Sequence, residues 1–182
     1  LVTISGAASA SPFAIALLGP VARFVNRFGA DFRWQHLPVP FEVYADGIDL
    51  VVFEEFGSGA AALHLRDEVE RDALLGDEDY RRQFRKDYDS RFGVRVWHRD
   101  FFDAEIVACP DDSVIGKSFG QVGVDRGGLH PVDAFLDLVV EHGSKVRWRT
   151  TISNHRPDVL KKLARDDAIQ MGFSDAGAHL RN

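Results

Sequence analysis

The chain reads as an α/β fold with parallel strand pairing, and three observations predict it. The second half keeps a strand–helix–strand rhythm, which argues for parallel strands joined by right-handed crossovers. Its clearest helix starts at Pro131, ends near Gly143, and leads into an alternating strand. Finally, Ala168 to Phe173 is a mainly apolar run that breaks abruptly into Ser174-Asp175-Ala176-Gly177-Ala178-His179. A buried parallel strand looks like this when it delivers a carboxylate to a sheet edge. In barrel enzymes, catalytic groups sit at such strand ends.

Taken in order, Leu1 to Ser5 predicts a short buried strand that enters a small-residue loop, Gly6 to Pro12. Phe13 to Leu18 suits a helical turn interrupted by Gly19-Pro20, after which Val21, Phe24, Val25 and Phe28 fall at helical spacing. From Asp31 to Gly59 no period is clean, and Pro38 and Pro40 break regular structure. Residues 31–93 are therefore expected to form an irregular and helical insertion, and 94–182 the last strand–helix units. Within the insertion, Arg66 to Leu75 and Asp77 to Arg91 carry apolar residues at helical spacing around Gly76, which predicts an αα-hairpin.

Ala104 to Cys109 reads as a strand stopped by Pro110. Ser118-Phe119-Gly120-Gln121 fits a capping box, with hydroxyl and amide satisfying free N–H groups where a helix starts. In the next helix Val132, Phe135, Leu136, Val139 and Val140 make one apolar stripe. Lys145 to Ile152 then alternates, with Val146, Trp148, Thr150 and Ile152 on one face. Pro157 to Ala164 forms a helix through Val159, Leu160 and Leu163, and the final strand follows.

Composition narrows the function. The 182 residues suffice for one domain with a sizeable core; Lys+Arg 22 against Asp+Glu 28 gives a net charge of -6, with no basic stripe. Nucleic acid is an unexpected partner, and so is a membrane, since no apolar run approaches the roughly 20 residues of a span. Cys109 is the sole cysteine, which excludes intrachain disulfides and mildly favours a reducing compartment. With no leader pattern at the start, a cytoplasmic location is expected.

Asp175 is the leading site residue, with Ala176 and Gly177 leaving room for metal or substrate. A helix N-cap is the competing reading. His179 has three readings: contact to substrate, orientation of a ligand, or a bond to a turn carbonyl. Asn154, at another strand exit, is a candidate substrate contact, although capping the helix near Pro157 is the plainer role. His98-Arg99-Asp100 superficially matches a kinase catalytic loop, but Glu105 stands where the metal-binding Asn belongs. Gly57-Ser58-Gly59 is no nucleophile elbow, because Phe56 and Ala60 occupy its glycine positions. The seven histidines make no His-x-His or His-Glu-x-x-His, so a zinc needing three protein ligands would find most of them elsewhere.

Gly172-Phe173-Ser174-Asp175-Ala176-Gly177-Ala178-His179 resembles the last-strand motif of the amidohydrolase family that contains the N-acyl-D-amino-acid deacylases, or D-aminoacylases. Upstream of it, Ile115 to Ser118, His130 to Leu138 and Thr151 to Asn154 occur in the matching order, so the resemblance covers about Trp97 to Asn182. It implies a TIM-like barrel, of which residues 1–182 would be an incomplete piece, and a zinc-dependent hydrolase acting on N-acyl amino acids or related amides. For Asp175 it implies proton transfer from metal-bound water to the leaving amine, with a possible hand in holding the metal. The family's early His-x-His, metal-binding Cys and mid-barrel histidines have no counterparts in this sequence, so the piece alone is expected to hold no zinc and to be inactive. Exposed strand edges would invite association. A self-contained α/β binding module and a cyclic-amide hydrolase are the alternatives.

Overall fold

The computed structural model of the chain describes residues 2–5, 12–90 and 95–172, with side chains from residue 15 onward. Its first elements are β1 (Val2–Ser5), α1 (Pro12–Asn26), β2 (Phe32–His36), β3 (Phe41–Asp46), α2 (Gly57–His64), α3 (Glu68–Gly76) and α4 (Glu78–Asp89). There follow β4 (Glu105–Ala108), α5 (Phe119–Asp125), α6 (Pro131–His142), β5 (Arg147–Ser153), α7 (Pro157–Leu163) and β6 (Ile169–Met171). The class is mixed α/β, in two small sheets. Two compact units make up the chain: unit 1 takes residues 1–41, 94–98 and 152–182, and unit 2 takes 42–93 and 99–151.

Unit 1 is built on a parallel sheet of order β1-β2-β6. Val2 to Ser5 align with Phe32 to Gln35, and Trp34 to His36 align with Ile169 to Met171. α1 makes the crossover between β1 and β2 and lies on β2, with Ala22 packed against Phe32, Ala168 and Trp34. The Trp34 indole donates to the Leu18 carbonyl at 2.7 Å. Asn26 fixes the turn into β2 by donating to the Phe32 carbonyl at 2.9 Å and accepting its N–H at 2.7 Å.

Two expectations are corrected in this unit. α1 runs unbroken through Gly19-Pro20; Pro20 deprives the Ala16 carbonyl of its usual donor, yet packing on β2 and the Trp34 bond on the next turn hold the helix together. The stretch from Asp31, expected to be irregular, contains β2 and β3. β2 has two strand neighbours from distant parts of the sequence, and pairing of that kind leaves little local signal.

In unit 2 the sheet order is β3-β5-β4. β4 and β5 pair antiparallel, Glu105 facing Arg149 and Ile106 facing Trp148, with a register shift before Ala108. This corrects the expectation of parallel pairing throughout the second half. Alternation reports which face is buried and not which way a neighbour runs, and the long connection through α5 and α6 permits either direction. The Arg149 guanidinium meets the Glu105 carboxylate at 2.8 Å across the pair.

The unit 2 core is aromatic. Phe53, Phe84, Phe101, Phe119, Phe135 and Trp148 are fully buried. Phe101 and Phe135 stack with centroids 4.8 Å apart, and Phe119 meets Trp148 edge-on at 5.6 Å. Around them the predicted αα-hairpin forms as α3 and α4, with Asp77 capping α4 by accepting the Tyr80 N–H at 2.8 Å. α4 is tied to α6 by two rungs, Arg81–Asp137 and Arg85–Asp133, each 2.5 Å. Both rungs repeat at four-residue spacing, the interval that aligns side chains along a helix. The Ser118–Gln121 capping box forms as read, and Gly143, at φ 58°, ends α6. Among the described residues no helix is long and apolar enough to cross a membrane.

Candidate functional site

The candidate site lies at the C-terminal ends of β2 and β6, within unit 1. β6 stays in line with β2 one residue beyond Met171, since the Gly172 N–H donates to the His36 carbonyl at 3.1 Å. Ser174, Asp175 and His179 come next in sequence and lie outside the described residues.

Asn154 follows β5 in the left-handed region, at φ 61°, a conformation that Asn tolerates better than most residues. Its Nδ2 donates to the Leu37 and Val39 carbonyls, both at 2.9 Å. With both amide protons so placed, Oδ1 is the atom 2.8 Å from His36 Nε2. It can only accept, so Nε2 carries the proton and, in the neutral ring, Nδ1 keeps a lone pair. Asn154 therefore does not cap α7, whose N-cap is Arg156 without a side-chain bond. Within unit 1 it fastens the end of β2 to the residues that follow Ser153.

His36 escaped the sequence reading. It is 1% exposed, and among the described residues its buried Nδ1 has no hydrogen-bond partner, nor does Ser153 Oγ. A fixed tautomer with a spare lone pair can accept a hydrogen bond or ligate a cation. Strand alternation, however, puts His36 on the face that carries Phe32 and Trp34 against α1. The signal that could have found it is the cue used at Asp175: an alternating run, Phe32-x-Trp34-x-His36, ending in a punctuated loop, Leu37-Pro38.

Beside this cluster an open groove of about 410 Å³ is lined by Pro38, Pro40, Asn154, Pro157, Leu160 and Met171 among others, mostly apolar. The His155 ring stacks on His98 with centroids 4.2 Å apart. Among the described residues no group of three His, Cys, Asp or Glu side chains is placed to hold a metal ion.

In unit 2, Cys109 is buried, and burial pushes its pKa up. Burial, with Asp87 nearby, likewise raises the Tyr80 phenol, which donates to the Ser58 carbonyl at 2.8 Å. Ser58 itself donates to Asp87 at 2.7 Å, so it is a structural serine. Arg99, the centre of the false kinase motif, pairs with Glu55 at 3.3 Å and lies over the Phe56 ring.

The chain is 57% identical over 182 residues to uncharacterized proteins of Mycobacterium tuberculosis and Mycobacterium bovis. The match takes in 98% of this chain but only 30% of each relative. The chain thus spans about a third of the length of the curated relatives it matches. No family model matches it, and no solved structure matches it significantly.

Proposed function

We propose that the chain is part of the TIM-like barrel of a metal-dependent amidohydrolase that cleaves the amide bond of N-acyl-D-amino acids. The observation that supports this reading is the parallel sheet of unit 1. β1, β2 and β6 are neighbours in their sequence order and all run parallel, with α1 crossing between the first two and α7 leading into the third. Consecutive strand–helix units of a barrel are arranged in this way. The motif that carries the resemblance begins where β6 ends, the end at which barrel enzymes keep their chemistry. The long excursion of the chain between β2 and α7 also departs from that end, as site-forming loops do.

Asp175 takes the proton of the attacking water as its oxygen bonds to the carbonyl carbon. It returns that proton to the nitrogen as the C–N bond breaks, releasing a carboxylic acid and a free amine. This requires the carboxylate within hydrogen-bond reach of the water, about 2.6–3.2 Å. The described residues do not by themselves make a zinc site. Zinc enters from the resemblance alone, with anchors outside these residues. Asn154 supports the rim by pinning β2, and His179 remains a candidate substrate contact.

The test uses the complete polypeptide. It is expected to hydrolyse an N-acyl-D-amino acid, and Asp175→Asn to lower kcat at least about 100-fold at an unchanged thermal midpoint. Full activity in Asp175→Asn, or no amide hydrolysis by the unaltered chain, overturns the proposal. Turnover of cyclic amides alone would move it to a ring-amide hydrolase.

A further inference from the structure

α1 presents two flanks with different fates. One carries Gly19 and Arg23 and faces the turn before β6, where Arg23 pairs with Asp166 at 2.8 Å. The other carries Leu17, Val21, Phe24 and Val25, continued by Phe28 in the turn after the helix, and these large apolar side chains are exposed, Phe24 by 59% and Phe28 by 78%. They recur at three- and four-residue intervals, so they form one continuous stripe. Phe24 and Phe28 meet edge-on at 5.3 Å and give it an aromatic end. Because β6 lies on one side of β2 and β1 on the other, the stripe looks over the β1 side of the sheet. There, among the described residues, β1 pairs with β2 alone, so its second edge is open. An apolar stripe beside an open strand edge marks a surface built to be covered.

We infer that this surface receives a further strand–helix unit of a longer polypeptide, the strand adding parallel to the open edge of β1 and the helix setting its apolar face on the α1 stripe. Two observations select this occupant. The curated relatives carry about two-thirds of their length outside the matched stretch, ample for further units. The sheet is parallel throughout, whereas a second copy meeting β1 about a two-fold axis would pair it antiparallel. The inference deepens the barrel reading without needing its chemistry: failure of amide hydrolysis leaves it standing on the sheet order and the apolar flank, whereas an unpaired β1 edge counts against the barrel itself.

Thiol labelling of the folded complete polypeptide, freed of other reactive thiols, tests it through Leu17→Cys, Phe24→Cys and Phe28→Cys. Val69→Cys serves as the control, since Val69 is 79% exposed on α3. Maleimide is expected to modify the three stripe positions at least about tenfold more slowly than the control. Rates matching the control overturn the inference. Protection that disappears on dilution also overturns it, because the cover is then a second copy. Amide exchange of the unaltered chain asks the same question without any substitution: slow exchange along both edges of Val2–Ser5 is expected, and fast exchange at the amides that do not face β2 overturns it.

Discussion

Unit 2 gathers its large aromatic rings into one buried cluster, Phe53, Phe84, Phe101, Phe119, Phe135 and Trp148. The apolar cluster beneath α1 in unit 1 is Ala22, Phe32 and Ala168, partly covered by Trp34. Each unit has a sheet and helices, yet the two bury their aromatic side chains differently. In unit 2 the helices brace each other through the Arg81–Asp137 and Arg85–Asp133 rungs. In unit 1, α1 keeps an apolar flank exposed, and among the described residues the buried His36 Nδ1 and Ser153 Oγ have no partner. A segment can thus be helix for helix and strand for strand well formed while leaving its apolar surface for something else to cover.

Core truncation should separate the units most strongly. Phe135 has ring neighbours in Phe53, Phe101, Phe119 and Trp148, all with centroids within 5.8 Å. Phe135→Ala is expected to cost about 3–5 kcal/mol in urea unfolding, and Phe32→Ala to fall at the low end of that range. Equal losses would break the contrast. A middle-sized effect is expected at the Asn154 tie to the end of β2. Asn154→Ala removes the bonds to the Leu37 and Val39 carbonyls and strands the buried His36 Nε2–H, at a cost of about 2–3 kcal/mol. Amide exchange should rise in unit 1 before unit 2. Asn154→Gly suits the φ of 61° but restores no bond, so it should recover only about 0.5–1 kcal/mol.

The smallest effect concerns acid. Burial opposes ionisation of Asp166, but the Ala168 N–H and the Arg23 guanidinium outweigh it and hold the carboxyl below its ordinary value of 3.8. A depressed carboxylate stabilises the folded state fully above that ordinary value, and the contribution is lost as the pH falls through the depressed one. Half of Arg23 is exposed, so screening keeps the contribution modest. Asp166→Asn should therefore lower unit 1 stability modestly at neutral pH, leave it unchanged in strong acid, and so flatten the acid limb below pH 3.8. An unchanged acid limb would remove Asp166 from the account.

Elements specified by their own neighbours were legible in the sequence. The Ser118–Gln121 box, the helix bounded by Pro131 and Gly143, the hairpin about Gly76 and the buried face of Trp148, Thr150 and Ile152 all formed as read. Elements specified by distant partners were not. Phe32 to His36 becomes a strand by pairing with β1 on one side and β6 on the other, and β4 takes its direction from contacts that no local pattern encodes. The site divides in the same way. Punctuated strand ends drew attention to Asp175 and Asn154, whereas His36 acquires meaning only by meeting Asn154 across 118 positions.

That separation bears on how the molecule folds. Closing so long a loop carries an entropic cost before the β2–β6 contacts return anything, while unit 2 can collapse on hairpin and helix contacts that lie near one another in sequence. Unit 2 should therefore acquire structure first and act as a shortcut, drawing residue 41 and residue 152 together so that the parallel sheet is completed late. A pulse of amide labelling during refolding would then find β6 among the last segments to become protected.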